Sequence, residues 1–337
     1  MSIIGKNFID IYFFADIIKK TDNKTAEETM NLYFAPLEGI TTYIYRNTHA
    51  EMFGGCGAYY SPFINPSDQY KVSRKGEKDI LPEFNSGIDL KIQVLTNRAE
   101  SFLRFSEKMQ RLGYDEININ LGCPSATVVK KGRGSGFLQD KQALDAFLYE
   151  IFSKSDMKIS LKTRIGFDSP DEMEELLQIY NKYPLSLLII HPRTRADFYD
   201  GVPRDEIFAA CYKNSKNKLC YNGNIYTVED YKRVAERFED IDGVMFGRGA
   251  IRNPAIFREI KGGKKITTAE LIEFSKRLME NYYAVLKSDT FTLHKLKEIW
   301  VYILQNYPDE KKIAKAMKKS TTLADFKAAM SCLPELQ

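Results

Sequence analysis

Glu116-Ile117-Asn118-Ile119-Asn120-Leu121-Gly122-Cys123-Pro124 decides the fold. Its first six residues read as a short strand whose apolar positions are Ile117, Ile119 and Leu121. Gly122 and Pro124 then close it in a fixed turn. Downstream the same alternation repeats: helix Lys141–Phe152, strand Lys158–Thr163, helix Asp171–Tyr180, strand Ser186–Ile190 and helix Arg204–Tyr212. Strand Lys218–Tyr221, helix Val228–Phe238, strand Gly243–Phe246 and a helix from about Pro254 follow. Upstream stand helix Ala99–Arg111, strand Lys91–Leu95, an irregular strand near Ala58–Ser61, helix Thr42–Met52 and strand Leu32–Leu37. Strand–helix alternation means parallel strands with right-handed crossovers. Eight such strands predict an α/β fold, a (β/α)8 TIM barrel over residues 31–260.

Beyond 260 the pattern changes. Thr267 with Glu270 three residues on predicts a capped helix start, and Leu271, Phe274, Leu278 and Tyr282 share a face. Lys295–Leu304 and Ile313–Lys319 also read as helical. Residues 261–337 are therefore expected to form a smaller all-α helical domain. Residues 1–30 fit neither pattern and read as an N-terminal extension, with Met30 a candidate natural start or the segment a short packed helix.

The chain has 337 residues, 44% hydrophobic and 28% charged, which excludes a disordered class. Cys56, Cys123, Cys211, Cys220 and Cys332 include no C-x-x-C pair, arguing against a disulfide framework or thiolate metal site. Only three histidines make a histidine metal centre improbable as well. No transmembrane span or signal peptide is legible, so a cytoplasmic address is expected. The net charge of +4 is unevenly spread. From Arg258 to Gln337 fifteen Lys and Arg face ten Asp and Glu, so the tail carries +5 and the rest −1. Such a tail fits an acidic partner such as nucleic acid, or simply a solvated helical face.

Barrel enzymes carry their chemistry on the C-terminal ends of the strands. There Cys123 is held at the mouth, able to exchange a proton or act as a nucleophile, or serving only the turn. The loop Lys130-Lys131-Gly132-Arg133-Gly134-Ser135-Gly136 reads as mobile and suited to an anion or to closure over a substrate. Lys162 and Arg164 end one strand, where cations need an anion, an electron-rich ligand or a neighbouring carboxylate. His191 ends another and fits hydrogen bonding to a ligand, proton transfer or a structural role. Asn222-Gly223-Asn224 and Gly247-Arg248-Gly249 follow the last two strands, where phosphate sites recur in these barrels. A phosphate site, a lysine, a histidine and a cysteine around one mouth fit a phosphorylated cofactor. Flavin mononucleotide and a sugar phosphate both meet that description.

The ordered set of motifs resembles the tRNA-dihydrouridine synthases. It comprises Ala35-Pro36-Leu37-Glu38-Gly39-Ile40-Thr41, Gln93-Val94, Asn118 to Pro124, Lys162-Thr163-Arg164, His191-Pro192-Arg193-Thr194 and the two glycine turns. The resemblance implies FMN-dependent reduction of the 5,6 double bond of a uridine in tRNA, with NADPH as reductant. It makes Cys123 the acid that protonates carbon 5 of the uracil. It places Pro36, Leu37, Glu38 and Gln93 on the flavin, together with Lys162 and His191. Asn222, Gly223, Asn224, Gly247 and Arg248 join them, while Asn120 and Arg164 are assigned to the uracil. The helical tail would grip tRNA. Leu37 stands where the family usually has methionine, Thr42 where it has aspartate and Pro192 where it has glycine. Competing expectations are a dihydroorotate dehydrogenase-like flavin barrel acting on a free pyrimidine, and a non-catalytic RNA-binding barrel.

Overall fold

The computed structural model describes residues 30–66 and 74–336. The N-terminal extension read from the sequence lies, apart from Met30, outside the described residues.

Eight parallel strands close a barrel in sequence order. They are β1 (Asn31–Phe34), β2 (Ala58–Tyr60), β3 (Leu90–Val94) and β4 (Glu116–Leu121). β5 (Lys158–Arg164), β6 (Leu188–His191), β7 (Leu219–Tyr221) and β8 (Gly243–Phe246) complete the circle, and β8 pairs back onto β1. β1 ends earlier than the apolar run suggested. The Ala35 amide still donates to Phe246 O at the end of β8 (2.7 Å), but Pro36 has no N–H with which to continue the ladder.

Side chains alternate across a strand, so each strand divides its residues between the barrel lumen and the surrounding helices. On β5, Thr163 meets Tyr180 of the helix Glu172–Tyr180, which places Thr163 outside and leaves Ser160, Lys162 and Arg164 on the inner face. On β4 the same period sends Asn118 and Asn120 inward and Ile117, Ile119 and Leu121 outward. The register sets Gln93 beside Asn118, Asn118 beside Ser160, Asn120 beside Lys162 and Arg164 beside His191. Polar residues thus rise in layers towards the mouth. Ala35, Tyr60, Leu187, Ile189, Cys220 and Met245 form an apolar core cluster.

The tail is built of helices Thr268–Leu286, Asp289–Ile303, Lys311–Lys319 and Leu323–Met330. The capping box at Thr267 is present: its hydroxyl accepts from Glu270 N, and the Glu270 carboxylate accepts from Thr267 N, both at 3.1 Å. Leu271, Phe274, Leu278 and Tyr282 are all buried. Phe274 packs edge-on to Tyr45 (5.5 Å) and Phe53 (5.2 Å) of the barrel layer, and truncating such a ring to Ala costs about 3–5 kcal/mol. Thr42 is buried and hydrogen-bonded to Tyr282 (3.2 Å). Lys295 Nζ donates to Gly39 O in the loop after β1 (3.0 Å), and Arg252 exchanges two hydrogen bonds with Asn306. Residues 31–337 hold together as one compact unit, with the tail seated on the barrel by these contacts.

Candidate active site

A cavity of about 480 Å³ opens at the C-terminal ends of the strands. Pro36, Leu37 and Glu38 line it from the loop after β1, and Gln93 from β3. Asn120 and Cys123 line it from β4 and its turn, Lys162 and Arg164 from β5, and His191 from β6. Asn222, Gly223 and Asn224 after β7 and Gly247 and Arg248 after β8 complete the wall. Every site residue expected from the sequence is therefore brought to one cavity.

Below Cys123 runs a chain of amides. Asn118 donates to Ser160 Oγ (2.9 Å), Gln93 Nε2 to Asn118 Oδ1 (2.7 Å), and Asn120 Nδ2 to Gln93 Oε1 (2.7 Å). Asn120 Oδ1 in turn accepts from the backbone N–H groups of Gly122 (3.0 Å) and Cys123 (2.9 Å). Asn120 is thus spent largely on shaping the cysteine turn; one N–H of its amide remains for a ligand. Arg164 braces the same turn, donating from Nε to Gly122 O (2.8 Å) and from Nη1 to Thr194 O (2.7 Å).

The glycine-rich loop departs from expectation. Gly134–Gln139 is a 3-10 helix whose first five residues are buried, packed behind the cysteine. Ser135 donates through N (3.1 Å) and Oγ (2.8 Å) to Cys123 O. A Cβ on Gly134 would lie 2.9 Å from Cys123 O, and one on Gly136 would lie 2.7 Å from Val129 O. These glycines allow close packing; they do not form an open anion loop.

Electrostatics follow from this burial. Three cations (Lys162, Arg164 and Arg248) and one carboxylate (Glu38) line the cavity among the described residues. Lys162 Nζ donates to Asn222 Oδ1 (2.7 Å), while Asn222 Nδ2 donates to Met245 O (2.8 Å). Desolvation, helped by Arg164, pushes the Lys162 ammonium down to about 8. Desolvation pushes the Cys123 thiol above its ordinary value; a backbone N–H and the nearby cations Arg164 and Lys162 oppose this. His191 is held far below its usual value by desolvation and by Arg164, Lys162, Arg193 and Arg248, so it is neutral. Arg193 Nη1 lies 3.0 Å from its Nε2 and can only donate, which puts the imidazole proton on Nδ1.

The two glycine turns touch. A Cβ on Gly249 would fall 1.9 Å from Ile225 O, so glycine is required where the loops after β7 and β8 meet. Arg248 donates to Asn224 Oδ1 (3.2 Å), tying the two motifs together. The helix after β7, Val228–Arg237, has its own box of Thr227 and Asp230 occupying N-terminal N–H groups.

Sequence reasoning missed Tyr199, Tyr302 and Gln305, which also line the cavity. The Tyr199 ring has the Arg164 guanidinium at 5.4 Å and that of Arg248 at 5.2 Å from its centroid. Tyr302 and Gln305 come from the tail, and no local signal announces so distant an approach.

The family model for dihydrouridine synthase matches residues 33–335. The chain belongs to the dihydrouridine synthase family. It is an enzyme of the oxidoreductase class. The chain is 27% identical to tRNA-dihydrouridine synthase B of Pseudomonas putida over 260 residues, 76% of each protein. It is 29% identical to a probable tRNA-dihydrouridine synthase 2 of Bacillus subtilis over 255 residues, 71% of this chain and 74% of that one. Among solved structures, histamine dehydrogenase from Rhizobium sp. 4-9 has the same fold, with a TM-score of 0.53 at 11% identity over 75% of this chain and 48% of that one. Among the described residues no helix is long and apolar enough to cross a membrane, and no group of three or more His, Cys, Asp or Glu is placed to hold a metal.

Proposed function

We propose that this dihydrouridine synthase is a cytoplasmic, FMN- and NADPH-dependent enzyme that reduces the 5,6 double bond of one uridine in tRNA. The observation that carries the reading is that Cys123 and the cations Lys162, Arg164 and Arg248 line one cavity. The residues fit a phosphorylated flavin. Lys162 has only the neutral Asn222 as hydrogen-bond partner among the described residues, leaving ammonium N–H groups for an anion or an electron-rich ring. Arg248 and the cavity-lining backbone of Gly223 and Gly247 suit a phosphate. Pro36, Leu37 and Glu38, with Gln93, Asn222 and Asn224, would line the ring and ribityl chain. His191, neutral with its proton on Nδ1, would serve as a donor.

A bound reduced flavin, reloaded by NADPH, would supply a hydride to carbon 6 of the uracil. Negative charge then builds on the pyrimidine, and the Cys123 S–H supplies the proton to carbon 5. Burial keeps that proton on sulfur at neutral pH. The remaining thiolate is eased by Arg164 and Lys162 and recovers a proton from water. Asn120 and Arg164 would orient the uracil while holding the cysteine turn in place.

A uridine within folded tRNA must leave its stack to reach such a cavity. We assign residues 31–260 to catalysis and 261–337 to gripping the RNA backbone. Lys311, Lys312, Lys315, Lys318 and Lys319 support the second assignment. All five are exposed on one helix that buries only Met317, and none pairs with a described carboxylate.

The test is Cys123→Ala. The variant should purify yellow with the same flavin content as the parent and form dihydrouridine at least 100-fold more slowly, the loss expected of a general acid. Near-normal turnover refutes the proton-donor role. A colourless parent that added FMN cannot colour refutes the flavin reading.

A further inference from the structure

The loop between β6 and the helix Asp205–Asn214 carries apolar side chains that the cavity does not use. Phe198 is 42% exposed and Val202 82% exposed, on either side of the cavity-lining Tyr199. Phe198 has a φ of 49°, a left-handed conformation that bulky side chains rarely adopt. The surroundings impose it. The Asp197 carboxylate accepts from Thr194 N (2.7 Å), from Thr194 Oγ1 (2.9 Å) and from both terminal nitrogens of Arg204. Phe198 N donates to Arg195 O (3.1 Å). Arg193 clamps the far side, donating to the carbonyls of Asp200 (2.9 Å) and Gly201. The Arg195 guanidinium lies 5.0 Å from the Phe167 ring centroid and 5.4 Å from that of Phe198, which props the ring from beneath. The loop therefore spends its polar groups inward and holds two apolar groups out in water. Strained conformations persist where the surroundings over-determine them, commonly at functional sites.

We propose that Phe198 and Val202 form an apolar wedge that stands against the RNA bases flanking the target uridine and fills the gap this base leaves when it turns out. The proposal rests on the tRNA reading above. The occupant is nucleic acid because the loop is continuous with the cavity: Tyr199 lines it, and Pro203 abuts Gly223 in its wall. Bases offer flat apolar faces to an aromatic ring whatever their identity, and apolar side chains inserted at a base step hold it unstacked. The Arg195 guanidinium beside the Phe198 ring suits an adjacent phosphate.

Phe198→Asn tolerates the left-handed backbone and removes the ring, Val202→Ser removes the apolar tip, and Phe198→Tyr is the conservative control. Two substrates are compared: folded tRNA, and a short unstructured oligoribonucleotide carrying the same uridine context. A 2-aminopurine next to the target uridine in tRNA reports unstacking. Phe198→Asn and Val202→Ser should each lower kcat/KM on tRNA about tenfold and weaken the 2-aminopurine brightening. Flavin content should not change, and any loss on the oligoribonucleotide should stay under twofold. Phe198→Tyr should restore turnover and brightening. Normal tRNA turnover and brightening in both variants overturn the wedge alone. An equal loss on both substrates also overturns it, since the loop would then only support the cavity. If the oligoribonucleotide does not react, the 2-aminopurine signal decides. A parent protein that reduces neither RNA removes the tRNA reading and the wedge with it.

Discussion

Partial burial pushes the Cys123 thiol above its ordinary value, while desolvation lowers the Lys162 ammonium so that it loses its proton more easily. One neutral acid and one weakened cation on a shared wall suit a reaction that first adds hydride and then needs a proton. The lysine gives a pH test. In the flavin-free protein its ammonium titrates near 8, and a bound anion or electron-rich ring raises that value. Binding then requires proton uptake above pH 8. FMN affinity should therefore be level below about pH 7 and fall as pH rises through 8, by up to about tenfold per pH unit. Lys162→Met should bind more weakly and lose this dependence. Titration by flavin fluorescence quenching checks it; a parallel pH profile in the variant would remove Lys162 from the flavin. At this scale Cys123, Lys162 and Arg164 were legible because they stand where apolar strands end. Tyr199, Tyr302 and Gln305 were not, because each reaches the cavity from a loop or helix with no sequence signature of its own.

The strands and their order were legible because buried parallel strands are short runs with turn residues at their ends. β4 and β8 have the boundaries read from sequence, whereas β1 stops at Phe34, before Pro36. Loop glycines were harder to read. Gly134 and Gly136 look like mobility in a linear sequence, yet in the fold they let the backbone press against Cys123 and Val129. The helix Leu323–Met330 falls within the tail expected to be all-helical, although the sequence set no bounds for it. Lys311–Lys319 carries its own prediction. Replacing Lys311, Lys312, Lys318 and Lys319 with Gln should weaken tRNA binding and flatten the plot of log affinity against log salt. The slope should fall by about one for each lysine that meets a phosphate. Flavin content should not change. An unaltered slope would return this helix to an ordinary solvated face.

Across residues 31–337 the barrel and tail share contacts at Gly39, Thr42 and Arg252, and the tail contributes Tyr302 and Gln305 to the cavity wall. The elements proposed to grip RNA therefore contribute to the cavity wall, and on that proposal docking on the tail would fix where a displaced uridine enters. The mild net charge conceals this arrangement: a nearly neutral barrel beside a tail of +5. The central claim is that the whole assembly reduces a uridine of tRNA. The most direct measurement is position-resolved mapping of dihydrouridine in tRNA that lacks the modification, incubated with the purified protein, FMN and NADPH. The account predicts dihydrouridine at a defined position with the parent protein and none with Cys123→Ala; tRNA left unmodified by a flavin-loaded, NADPH-reducible parent would contradict it.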